Sequence, residues 1–135
     1  MKSVEEGESL AEVVIVDRVG LLADLYRIAD IAWVGGGFGG DGLHSVLEPA
    51  ALGVPVVYGP RFGNTVEAEA MAEAGCGFVA ADASAIADRF ETLLRDGGSI
   101  GAAARDWVEA RRGGASRNAE LLLDLVPGGS SGSVP

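Results

Sequence analysis

His44 and Glu48 stand four residues apart in a stretch otherwise dominated by glycine and aliphatic residues, Trp33–Asn64, WVGGGFGGDGLHSVLEPAALGVPVVYGPRFGN. Four residues is one helical turn, so on a helix the two side chains share a face. A carboxylate in an apolar helix needs a hydrogen-bonding partner, and a ribose diol would serve as one. The alternative for Glu48 is a partly exposed helical glutamate. Pro49 directly after it removes an amide donor and should loosen the first turns. His44, read as lying in the first turn, can donate to a phosphate or sugar hydroxyl, or can pin the loop before it. That loop, GGGFGGDG, sets Gly35, Gly36, Gly37, Gly39 and Gly40 between an apolar strand and a helix. Backbone N–H groups there can face an anion. A tight turn, where helix and sheet pack closely, explains the same glycines.

Other chemistries find less support. The loop does not stand at the first strand of a domain with an acid about twenty residues on, as a dinucleotide fingerprint would. No Lys-Ser/Thr follows it, so it is not a Walker A motif. His44 is the single histidine, and no Cys/His set at zinc spacing exists, so no metal is expected. Cys76 reads as a buried strand residue with no base placed to activate it. Arg61 and Asn64, in the GPRFGN loop, can meet a carboxylate or phosphate, and surface exposure accounts for Arg61 equally well. Asp17 is a candidate helix cap, and Asp41 is weak by itself.

The elements that must position these residues alternate. Val13–Val16, Ile31–Val34, Pro55–Gly59 and Cys76–Ala80 are short apolar runs suited to buried strands. Between them, Leu21, Leu22, Leu25 and Ile28 recur at helical spacing. A second helix is expected from about Leu43 to Leu52. A third starts near Asn64 or Thr65 and stops at Gly75, and a fourth is capped near Asp82 or Ser84 with Ile86, Phe90, Leu93 and Leu94 on one face. Residues 99–111 and 114–126 read as two further helices. The pattern predicts an α/β fold, Rossmann-like, with a mostly parallel sheet and flanking helices. Ligands in such sheets bind beyond the carboxyl ends of the strands, where the candidate residues collect.

Composition narrows the partners. Twenty acidic against ten basic residues give a formal charge of -10, which argues against nucleic acid and does not favour an anionic membrane surface. No run reaches the length of a spanning helix, and one cysteine cannot form an intrachain disulfide. The division expected is an acidic, flexible segment over residues 1–12, a Rossmann-like α/β domain over 13–126, and a disordered Gly/Ser tail over 127–135.

The segment Asp17–Asn64, above all ADIAWVGGGFG and GLHSVLEPAALGVPVVYGP, resembles the C-terminal domain of the bacterial 3-deoxy-D-manno-octulosonic acid (Kdo) transferases. The ending VEARRGGASRNAELLLDLV, Val108–Val126, resembles that family's last helix, and the likeness runs from about Glu8 to Val126. It implies a two-domain GT-B glycosyltransferase whose C-terminal domain holds the CMP moiety of CMP-Kdo, with residues 13–126 as a partial nucleotide-sugar donor-binding domain. It further implies inverting transfer of Kdo to a lipid A precursor, lipid IVA, in lipopolysaccharide biosynthesis at the cytoplasmic face of the bacterial inner membrane. The donor-binding residues it implies are Gly35, Gly36, Gly37, Gly39 and Gly40 toward the phosphate, Glu48 on the cytidine ribose, and His44, Ser45, Arg61 and Asn64 around them. Ser45 departs from the family, which commonly has His-Asn at these two positions. No cofactor or metal is implied. The glutamate base, the acceptor surface and the membrane-proximal segment belong to an N-terminal domain that these residues do not contain. The chain is therefore expected to be a fragment, inactive by itself, whose uncovered apolar surface favours self-association. The alternatives are another GT-B nucleotide-sugar glycosyltransferase, or a non-catalytic α/β domain that binds a nucleotide or a protein.

Overall fold

The structure, a computed structural model, describes residues 13–40, 42–63 and 65–125. The expected flexible start and disordered tail, with Asp41 and Asn64, lie outside the described residues. In chain order the elements are α1 (Leu22–Tyr26), β1 (Ala32–Val34), α2 (Leu47–Ala51), β2 (Val56–Tyr58), α3 (Val66–Glu73), β3 (Gly77–Val79), α4 (Ala83–Glu109) and α5 (Gly114–Leu125).

The three strands form a parallel sheet in the order β1-β2-β3. Trp33 pairs with Val57, and Val57 with Phe78. Parallel neighbours require a crossover, which α2 and α3 supply. The central strand β2 is buried at all three positions, as expected of an unbroken apolar run covered on both faces. On one face Val34, Val46, Ala50, Val56, Tyr58, Met71 and Ala104 form a core. On the other, Val57, Ala80 and Leu93 pack with Ile31, Phe78, Ile86 and Phe90. The Tyr58 hydroxyl is buried within the first core and donates to the Ala68 carbonyl at 2.6 Å.

Two stop signals act as the sequence suggests. Gly53 and Gly75, at φ +80° and +72°, follow α2 and α3 and supply the left-handed residue that ends a helix. Asp82 caps α4, its carboxylate accepting from the Ala85 N–H at 2.9 Å.

Elsewhere the structure corrects the reading. Val13–Val16 forms no strand, and Val13 and Ile15 are 78% and 81% exposed. A β-branched run favours extended backbone, but a strand also needs an edge to pair with, and no described strand takes it. α1 begins at Leu22 with Leu21 at its N-cap and no side-chain cap, so Asp17 does not cap it. Residues 83–109 form one helix in place of two. A Cβ on Gly97 would stand 3.3 Å from the Pro55 ring, and one on Gly101 would overlap the Gly53 carbonyl oxygen. These glycines admit the loop before β2 rather than breaking the helix. Leu94 faces solvent, away from the Leu93 side.

The arginines near the C-terminus are engaged locally. Arg112 bonds both Glu109 carboxylate oxygens, at 3.0 and 2.8 Å. Arg111 lies 3.9 Å over the Trp107 ring, and Arg117 donates to the Arg112 carbonyl.

Burial, and then the neighbouring Cys76, push the Tyr58 hydroxyl up to about 12. The folded state therefore holds this proton more tightly than the unfolded chain, whose tyrosine titrates near 10. The stabilisation is complete below pH 10 and is lost as pH rises toward 12. Urea titrations across pH 9–12 should show a falling midpoint that flattens in Tyr58→Phe. An unchanged slope in that variant would assign the alkaline loss to another group.

Candidate functional site

A cavity of about 480 Å³ opens beside the carboxyl end of β1. Its walls come from three places. α1 contributes Leu22 and Tyr26, β1 and its exit contribute Trp33, Val34 and Gly35, and the segment into α2 contributes His44, Ser45 and Glu48. Each position has a local cause. Leu22 and Tyr26 are four apart on α1, hence on one face. Gly35 is the first residue after β1, and the His44 N–H donates to its carbonyl at 3.2 Å, which folds the end of the loop back onto the strand exit.

α2 starts at Leu47 with Val46 at its N-cap, so His44 precedes the helix instead of occupying its first turn. His44 and Glu48 therefore do not share a helical face, yet both line the cavity. Pro49 falls inside the first turn of α2, where its missing N–H costs no intrahelical bond, and it is buried. Neither Glu48 nor Tyr26 has a hydrogen-bond or ion-pair partner among the described residues. The Tyr26 hydroxyl is held above its usual range, first by burial and then by the negative charge of Glu48. The cavity thus has an acidic acceptor, a protonated phenol beside it, and an apolar wall of Leu22, Trp33 and Val34. That combination suits a neutral polyhydroxyl group next to a flat or apolar one.

The glycine loop divides by neighbour. Gly36 has φ +93°, and a Cβ there would overlap the Gly42 carbonyl oxygen. A Cβ on Gly37 would meet the Gly59 backbone at 2.7 Å. These two positions need glycine because the loop lies against other main chain. Gly35 has the His44 ring 3.9 Å from where a Cβ would be, and Gly40 has nothing within 4 Å. Of the ten residues singled out from sequence, Gly35, His44, Ser45 and Glu48 line the cavity. Gly36, Gly37, Gly39, Gly40 and Arg61 stand outside its lining. Arg61 is exposed, and its N–H donates to the Gly37 carbonyl at 2.8 Å. Asn64 is outside the described residues.

Sequence reasoning missed Leu22, Tyr26, Trp33 and Val34. The signal existed. Trp33 lies between two buried residues of β1 and is therefore turned the other way, and there it stacks on Phe38 with ring centroids 5.9 Å apart. A second hollow of about 270 Å³, lined by Asp30, Pro55 and Gly97 among others, lies at the amino ends of the strands, away from the end where ligands of such sheets bind. No group of three or more possible metal ligands exists among the described residues.

No protein-family model matches the chain. Curated relatives do. The chain is 37% identical over 84 residues to the 3-deoxy-D-manno-octulosonic acid transferase of Aquifex aeolicus, covering 62% of this chain and 24% of that protein. It is 34% identical over 120 residues to the transferase of the same name from Bordetella pertussis, covering 85% of this chain and 28% of the other. The chain thus spans about a quarter of the length of these relatives. Among solved structures it matches the C-terminal CMP-Kdo-binding domain of WaaA from Acinetobacter baumannii, with TM-score 0.61 and 28% identity over 67% of this chain and 50% of that one. Sequence and structure together point to the Kdo-transferase family, and within it to the C-terminal domain of the GT-B type.

Proposed function

We propose that the cavity beside β1 is a donor site for CMP-Kdo, and that the chain serves transfer of Kdo to a lipid A precursor, lipid IVA. The observation that carries this reading is the meeting of Glu48, His44, Ser45 and Gly35 at one strand end, in a chain similar to a CMP-Kdo-binding domain. Glu48 accepts from the ribose hydroxyls. The phosphate lies away from that carboxylate, toward Gly35, His44 and the glycine loop, because like charges repel. Loop N–H groups and His44 stabilise the charge on departing CMP. Activation of the acceptor hydroxyl needs a general base, which the reading assigns to a domain outside this chain. By itself the chain binds donor without turning it over. Its place is peripheral, at the cytoplasmic face of the inner membrane. No helix among the described residues is long and apolar enough to cross a membrane. The exposed Val13, Ile15, Val19 and Ile28 form apolar surface through which isolated copies self-associate.

Trp33 reports on the site. It lines the cavity, whereas Trp107 packs against the core. CMP should quench tryptophan fluorescence saturably, the quench should vanish in Trp33→Phe, and CMP should bind more tightly than UMP or AMP. A clear preference for a uridine or adenosine nucleotide would overturn the donor assignment in favour of another nucleotide-sugar transferase. Absence of binding to all three would leave a non-catalytic α/β domain.

A further inference from the structure

We propose that Tyr26 is a donor-binding residue that reads a sugar hydroxyl jointly with Glu48, and so selects ribonucleotides over 2′-deoxyribonucleotides. The inference rests on the donor-site reading and adds a residue to it.

Two side chains of the cavity have no bonding partner within the described chain. Tyr26 on α1 and Glu48 on α2 line the same cavity, and neither has a hydrogen-bond or ion-pair partner among the described residues. Their hydrogen-bonding capacities are complementary. A carboxylate only accepts, whereas a phenol donates and accepts. A ligand hydroxyl placed between them satisfies both, giving its proton to Glu48 and receiving the phenol proton on its own oxygen. No other common group does this as well. A phosphate oxygen lacks a proton for Glu48 and is repelled by it. A methylene, as at the 2′ carbon of a deoxyribose, leaves both groups unpaired, the circumstance that gives hydroxyl-reading sites their discrimination.

The surroundings keep the phenol in its donating form. The titratable side chains around the cavity are Tyr26 from α1, His44 from the loop before α2, and Glu48 from α2 itself, with none from β1. Burial and the Glu48 charge both hold the phenol proton in place. Leu22, one turn before Tyr26, and Trp33 of β1 supply the apolar wall of the same cavity.

The test compares CMP with 2′-dCMP in the unaltered chain and in Tyr26→Phe. The unaltered chain is expected to prefer CMP. Tyr26→Phe should weaken CMP by about threefold to tenfold and leave 2′-dCMP within about twofold, so that the preference narrows. Equal weakening of both nucleotides, or of neither, overturns the inference while leaving the donor site standing. Failure of the unaltered chain to bind CMP overturns the donor reading instead. A ligand-free measurement then judges the pair by itself. With tyrosine labelled at Cζ, the Tyr26 signal should titrate at lower pH in Glu48→Gln than in the unaltered chain. An unmoved titration would show that the two groups do not face one site.

Discussion

Glu48→Gln is expected to weaken CMP binding by about tenfold to a hundredfold while moving the melting temperature by no more than about 2 °C. The two halves of that expectation have separate causes. Hydrogen bonds to a charged group contribute about 1.5–3 kcal/mol, which is the size of the affinity loss. Stability should hold because Glu48 is exposed and has no bonding partner among the described residues, and because Gln and Glu have similar helix propensities. Calorimetric titration and a thermal melt on the same preparation decide it. A collapse in melting temperature, with unchanged affinity in the folded fraction, would make Glu48 a structural residue and remove the ribose contact from the donor site.

Gly37→Ala should do the reverse. Its Cβ would meet the amide nitrogen, Cα and carbonyl oxygen of Gly59 at 2.7–2.9 Å. Both sides of that contact are main chain, one at the exit of β1 and one at the exit of β2, so no side chain can swing aside. Overpacking of this kind costs about 1–3 kcal/mol, occasionally more, a large share of the 5–15 kcal/mol that typically holds a domain folded. The paired variant Gly40→Ala meets nothing within 4 Å and should be neutral in a urea melt to within about 0.5 kcal/mol. If Gly40→Ala nevertheless lowers CMP affinity, that glycine is where the loop comes closest to the phosphate. If Gly37→Ala folds as well as its parent, the close approach of the two strand exits is not a constraint on the fold.

The contrast between these glycines shows what the sequence could and could not convey. Alternating apolar runs and helical spacings are local properties, and they predicted β1, β2, β3 and the helices α2 and α3 to within a few residues. Gly53 and Gly75 were legible as stops because a positive φ is itself a local demand. Gly97 and Gly101 look the same in sequence, yet they serve a contact with Gly53 and Pro55, more than forty residues away, and no local pattern distinguishes that case. Val13–Val16 failed for the related reason that a strand is defined by its neighbour. At the cavity, Glu48 and His44 stood out because polar residues are conspicuous in an apolar stretch. Tyr26 did not, since its residue type fits a half-buried helix face equally well. Only the packing of α1 beside α2 brings it to the same space.

α4 carries a consequence of its own. At 1.5 Å per residue, its 27 residues make a beam of about 40 Å. Its first half lies against one face of the sheet, and Ala104, Trp107 and Val108 reach the other. At the crossover, Gly97 and Gly101 sit on the loop Gly53–Pro55, which is also where α2 ends. Glu48 stands at the opposite end of that five-residue helix. A methyl group added at position 101 would overlap the Gly53 carbonyl oxygen, so α4 and the turn that follows α2 could not both keep their places. The smallness of residue 101 therefore sets how closely the longest helix approaches the end of the element that carries Glu48.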